Sequence, residues 1–185
     1  GKGNTLFRAG AQIRRNSGIS IQNTIFAGWP VGIEIDDTKV TTNGATYKNL
    51  VDSVLRLKNI TLAGNTVDLK YVGKTGTTVT TTDVTNIFST ASYANTILNS
   101  SSPDILKLIQ PFNYTNPDFT PYASAGSFSS SYGLLGVADH LDYKKNGSFT
   151  DAKLQDTFFE KVTFRGGVAT SGVNQTWWKG WTVWK

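Results

Sequence analysis

The sequence predicts an all-β chain wound as a parallel β-helix, and three observations predict it. The first is a repeat. Ile19 to Ile35 (ISIQNTIFAGWPVGIEI) falls, after a shift of 36 residues, on Leu55 to Tyr71 (LRLKNITLAGNTVDLKY) and, after a second, on Ala91 to Lys107 (ASYANTILNSSSPDILK). Self-similarity at a fixed period marks stacked architectures whose units bury their apolar faces on one another. The second is the period inside each copy. Ile19 and Ile21 alternate with Ser20 and Gln22, and Ile33 and Ile35 with Gly32 and Glu34, which is strand patterning. The third is where the bends fall. Asn23 and Gly28-Trp29-Pro30 divide the first copy into strands at about 19–22, 24–27 and 31–35, because glycine accepts positive φ and proline ends pairing.

Taken in order, residues 1–18 enter in mid-pattern. Thr5 to Phe7 and Gln12 to Arg15 read as strand pieces of an earlier coil, and no capping segment precedes them, so further coils are expected before residue 1. In the repeated copies, equivalent strands should lie about 4.8 Å apart, with equivalent side chains directly above one another. Phe26, Leu62 and Leu98 then form an apolar stack, and Asn23, Asn59 and Asn95 an amide ladder at one corner. A buried amide left without partners costs about 1–3 kcal/mol. Asn59→Leu should therefore lower the melting temperature clearly, and an unchanged value would remove the ladder.

The segment 36–54 leaves the coil at Asp36 and contains the Asn43-Gly44 turn signal, which reads as a hairpin. Residues 72–90 are rich in glycine and threonine and end in DVTNIF, where Asp83 is placed to cap a short helix over Val84, Ile87 and Phe88. From Gln110 the repeat fades into PFNYTNPDFTPYASAGSFSSSYG, an irregular strap rich in aromatics. Residues 150–161 read as a short helix with Thr150 as N-cap and Leu154 and Phe158 on one face; a final strand, VTFRGG, and a Trp-rich end, TWWKGWTVWK, follow. The expected organisation is thus one domain, with coils over 1–109 and strap and cap over 110–185.

Two of these stretches carry a family resemblance. FRAGAQIRRNSGISIQNTIFAGWPVGIEID and FFEKVTFRGG with WWKGWTVW resemble the C-terminal part of a family of secreted, largely uncharacterised Bacteroidetes proteins. The matching positions are Ile13–Thr24, Gly28–Asp36, Phe158–Gly166 and Trp178–Trp181. The resemblance implies a right-handed parallel β-helix, export, and a cell-surface, outer-membrane-associated or extracellular site. It supplies no catalytic residue, and this chain departs from the pattern at Gly167 and over 168–176.

Composition narrows the function classes. The net charge of +5 is scattered rather than gathered into the basic face of a nucleic-acid binder. With no cysteine there is no disulfide or thiol chemistry, and no apolar run reaches the roughly 18 residues of a membrane helix. His140, the only histidine, stands beside Asp139 and Asp142 without the nucleophile motif of a hydrolase or enough ligands for a metal, so it reads as a loop residue.

Candidate sites remain. Glu34, Asp36 and Asp37 are the carboxylates a calcium ion would use, with Arg56 or Lys70 on the same face, although calcium asks for six to eight oxygens. Trp177, Trp178 and Trp184 offer flat faces for sugar rings, against the alternative that the cluster plugs the end of the solenoid. The function expected is a non-catalytic surface or extracellular module that binds polysaccharide or glycan or serves in an assembly. The alternative is part of a polysaccharide lyase or glycoside hydrolase whose active face lies on upstream coils. No cofactor is expected apart from calcium.

Overall fold

The computed structural model describes residues 5–99, 103–106, 108–111, 113, 115–121, 147–169 and 176–180. It falls into two units, Gly1–Pro103 and Asp104–Lys185.

The first unit is built from the repeat. Its strands are β1 (Ala9–Arg14), β2 (Ser20–Gln22), β3 (Ile25–Ala27), β4 (Val31–Asp36), β5 (Arg56–Lys58), β6 (Thr61–Ala63), β7 (Val67–Val72) and β8 (Thr96–Leu98). All pair in parallel. Ser20 faces Arg56, Phe26 faces Leu62 and Ile33 faces Leu69, so the first two copies stack at the spacing read from the sequence.

The β-helix expectation is nevertheless corrected. The parallel strands form three small sheets, ordered β1-β4-β7, β2-β5 and β3-β6-β8, with no closed solenoid and with two α-helices among the described residues. The reason lies in the third copy. Its first segment is a 3₁₀ turn at Ala91–Tyr93 and its third is another at Pro103–Leu106, so only its middle segment becomes a strand. Polar residues replace the alternating apolar ones there, and Pro103 cannot donate to a ladder.

The register of that strand also differs from the one expected. Leu62 faces Ile97, and Leu98 faces Ala63. The corner explains the slip. Asn23 and Asn59 hold the left-handed corner conformation in the first two copies, at φ 52° and 56°, and in the third it is held by Ala94, at φ 53°. The matching asparagine, Asn95, comes one residue after the corner. Gly28 and Gly64 make the second corner of copies one and two, both at positive φ, where a Cβ would be strained. Asn65 pins this corner: its Oδ1 accepts from the Trp29 N–H at 3.0 Å, and its Nδ2 donates to the Phe26 carbonyl at 3.3 Å.

The two excursions fold back as helices. Residues 36–54 do not form the expected hairpin but carry α1 (Ala45–Val51). Residues 72–90 carry α2 (Thr81–Phe88), whose N-cap is Thr80; Asp83 is the third residue of the helix and completes a capping box by accepting from the Thr80 N–H at 2.8 Å. Leu50 of α1 and Val84 and Phe88 of α2 join Ile13, Ile33, Ile35, Leu55, Leu57, Ile60, Leu62, Leu69 and Tyr71 in one buried core. The helices thus cover apolar strand faces that a further coil would otherwise have to cover.

The second unit holds an antiparallel pair, β9 (Leu108–Gln110) and β10 (Asp118–Pro121). The helix expected at 150–161 is only a 3₁₀ turn, Ala152–Leu154, capped by Asp151 rather than Thr150; its side chain accepts from the Lys153 N–H at 2.9 Å. Phe158 is 84% exposed and belongs to no buried helix face. The part of the expected strap after Pro121 lies outside the described residues, as do Asp139, His140 and Asp142.

Candidate functional site

The site is read from β4, the central strand of its sheet. Alternation sends Ile33 and Ile35 into the core and Glu34 and Asp36 to the opposite face. On that face Gln12 of β1 lies opposite Glu34, Arg14 opposite Asp36, and Lys70 of β7 opposite Glu34 from the other side. Arg8, just before β1, reaches the same place.

These residues form one network. Arg8 Nη2 stands 2.9 Å from Glu34 Oε1, and Lys70 Nζ 3.5 Å from Oε2. Arg14 Nη2 stands 3.1 Å from Asp36 Oδ2. Gln12 Nε2 donates to both carboxylates, at 3.2 Å to Glu34 and 3.1 Å to Asp36. Thr38 donates to the other oxygen of Asp36 from its backbone N–H, at 2.9 Å, and from its hydroxyl. Glu34 is fully buried and Asp36 nearly so, while the cations around them keep 52% (Arg8), 36% (Arg14) and 41% (Lys70) of their side chains in solvent. Two buried anions therefore hold three partly exposed cations, Arg14 and Lys70 on strands and Arg8 just before one.

The network fixes the charge on Asp36. Burial alone would raise its carboxyl. The hydrogen bonds from Thr38, with the Arg14 and Arg8 charges, more than reverse that and hold it below the ordinary 3.8.

Asp37 does not share this face. Its carboxylate turns to the core side, where it accepts from the Thr46 N–H at 2.8 Å, the Tyr47 N–H at 3.1 Å and the Tyr71 hydroxyl at 3.2 Å. It thereby satisfies two free N–H groups in the first turn of α1. Burial, together with the Asp37 charge beside it, raises the Tyr71 hydroxyl above 10.0, so it remains a donor; a bond from Thr77 acts the other way but does not prevail.

The expected calcium trio is therefore divided. Glu34 and Asp36 are occupied by cations, Asp37 serves a helix, and among the described residues no group of three or more His, Cys, Asp or Glu side chains is arranged to hold a metal. Of the two basic candidates, Lys70 joins the network. Arg56 lies in the β2-β5 sheet, where its Nε donates to the Ser53 carbonyl at 2.9 Å. Gln12, Arg8 and Arg14 were not singled out from the sequence. The signal for them was parity: Arg8, Gln12 and Arg14 alternate with the inward-facing Ala11 and Ile13.

The asparagines make two different arrangements. Asn59 donates from its side-chain amide to Asn23 Oδ1, so these two bond across neighbouring layers. Asn95 Oδ1 accepts from the Ile60 N–H at 2.8 Å, and its Nδ2 donates to the carbonyls of Leu57 and Phe88 at 2.8 and 2.9 Å. It satisfies backbone groups around the end of α2.

In the second unit Trp177 is 48% exposed and its indole N–H donates to the Gly167 carbonyl. Trp178 is 6% exposed and packs edge-on against Phe119, with ring centroids 5.4 Å apart. Buried in this way, Trp178 cannot offer a sugar-stacking face, which corrects the expectation for it. Trp184 lies outside the described residues.

Comparison of the chain with family models, curated proteins and solved structures finds no match. No helix among the described residues is long and apolar enough to cross a membrane.

Proposed function

We propose that this chain is a non-catalytic binding module that holds an acidic glycan against the charged face of the β1-β4-β7 sheet, at a cell surface or outside the cell. One observation carries the reading. Arg8, Arg14 and Lys70 stand half-exposed on one sheet face, fixed by the buried Glu34 and Asp36. Guanidinium groups pair with carboxylates and sulfates through two parallel N–H bonds, and cations already held in place lose less freedom on binding.

The same network argues against cleavage. Glycoside hydrolysis needs two carboxyl groups free to face the sugar, and here both are engaged, Glu34 by Arg8, Gln12 and Lys70 and Asp36 by Gln12, Arg14 and Thr38. A calcium-assisted lyase needs carboxylate oxygens free for the metal, and here they face Arg8, Gln12, Arg14, Lys70 and Thr38. Trp177 supplies an exposed aromatic surface on the second unit for contact with a sugar ring.

The test is affinity for acidic and neutral polysaccharides at low and high salt. Acidic polymers should bind, neutral ones should not, and the Arg8→Ala/Lys70→Ala variant should lose most of the affinity while remaining folded. Equal binding of neutral and acidic polymers, or full affinity in that variant, would reject the charged face. Product analysis of the bound polymer tests the absence of cleavage.

A further inference from the structure

A second cationic site lies apart from the sheet face. Arg15, Asn16, Lys39, Val40, Thr41, Thr42 and Ala45 line a cavity of about 220 Å³ in the first unit. Neither Arg15 nor Lys39 forms an ion pair with any of the described residues, whereas Arg8, Arg14, Lys48 and Lys70 each have a carboxylate partner. No carboxylate lines the cavity. The two nearest in sequence to Lys39 are engaged elsewhere, Asp36 by Arg14 and Thr38, and Asp37 by α1 and Tyr71.

The backbone is shaped to this end. Arg14 ends β1 pointing at Asp36, and the chain then takes two successive left-handed residues, Arg15 at φ 58° and Asn16 at φ 63°. Asparagine tolerates this conformation but arginine rarely adopts it, so the turn is strained at Arg15 and must be held. Asn49 holds it by donating to the Asn16 carbonyl at 3.0 Å, to Asn16 Oδ1 at 2.9 Å and to the Ser17 carbonyl at 3.2 Å. Thr46 Oγ1 accepts from the Asn16 N–H at 3.0 Å. The turn takes Arg15 off the sheet face and places it at the cavity with Lys39. Lys74 stands behind the wall, donating to the Thr41 carbonyl at 3.4 Å, and adds positive charge.

We infer that this cavity binds a tetrahedral oxyanion, a sulfate or phosphate group, between the Arg15 guanidinium and the Lys39 ammonium, with the Thr41 and Thr42 hydroxyls as further donors. A guanidinium bonds two oxygens of such a group at once, a lysine supplies a point charge, and a hydroxyl can give one bond more. The cavity exceeds an inorganic ion but falls short of the roughly 300 Å³ where drug-sized pockets begin. That favours the anion as an ester on a small body, such as a single sugar. The inference uses none of the cations of the sheet face, so either site can fail without the other.

The experiment is titration of the ¹⁵N-labelled chain with sodium sulfate, sodium phosphate and a sulfated monosaccharide, at constant ionic strength set by chloride. Saturable shifts gathered at Arg15, Asn16, Lys39, Thr41 and Thr42 are expected. Tighter binding of the sulfated sugar than of sulfate would identify the ester as the ligand form, and equal binding would identify the free ion; both support the oxyanion site. Arg15→Gln and Lys39→Gln should each weaken binding about tenfold or more, and Lys48→Gln should not. Lys39 is exposed, so its variant tests the site without burdening the fold. Shifts that rise without saturating, that gather elsewhere, or that persist unchanged in Lys39→Gln would overturn the inference.

Discussion

The two faces of β4 are both buried, for opposite reasons. On one, Ile33 and Ile35 are sealed by leucines, a tyrosine and two helices. On the other, Glu34 is equally inaccessible, but its cover is Arg8, Gln12 and Lys70, side chains that themselves stand partly in water. The apolar face derives its stability from area removed from water and from close packing. The charged face balances the cost of desolvating two carboxylates against ion pairs that solvent partly screens, so its net contribution is small. The fold rests on the apolar face, and the charged face adds little to its stability.

Four substitutions break or sharpen that contrast. Ile33→Ala should have the largest effect, about 2–5 kcal/mol by chemical denaturation, because it opens a cavity where relaxation is limited. A loss under about 1 kcal/mol would mean the core is loosely packed there. Asp37→Ala comes next, at roughly 2–3 kcal/mol, because it leaves two helix N–H groups and the Tyr71 hydroxyl without their acceptor. Hydrogen exchange should show α1 opening first in that variant; uniform loss of protection would contradict its role as the tether of that helix.

Glu34→Gln should cost less, about 1–2 kcal/mol, since the amide keeps one acceptor for Gln12 but turns a buried N–H donor toward donors, while the released cations can turn to water. A loss as large as that of Ile33→Ala would erase the distinction between the faces. The smallest effect concerns acid. Asp36 has a folded-state pKa below 3.8, so its contribution is complete above that value and is lost as pH falls through the lowered one. Asp36→Asn should lower the melting temperature slightly in the neutral region and meet the parent's curve at the acid end, so that its profile is flatter below about pH 4.

Much of this was legible in the sequence, and the gaps have physical causes. The alternation at Ile33 and Ile35, the repeat spacing and the glycine corners are local signals, and strands β2, β3 and β4 follow from them. Parity also placed Glu34 outward with Lys70. The hairpin expected over 36–54 became α1 because that helix depends on a distant partner, Asp37, rather than on a side chain at its own N-cap, where Gly44 stands. Aligning the third copy by Asn95 obscured the slip, since an asparagine serves equally well at a corner or as a cap on backbone groups. The pairing of Arg8, Gln12 and Arg14 with β4 was hidden because β1 has no counterpart in the repeat alignment.

The slipped third layer also bears on assembly. A repeating stack presents a template at its growing end, and a layer congruent with the last can keep extending it, within one chain or between chains. Here only β8 of the third layer is a strand, and it is displaced by one residue from the repeat. The layer after the second is therefore out of phase with the repeat, and its first and third segments offer no strand that would extend the first two layers. The slip thus ends the congruence of the layers within this unit: three ladders join the first two copies, and only the β6-β8 ladder carries on into the third.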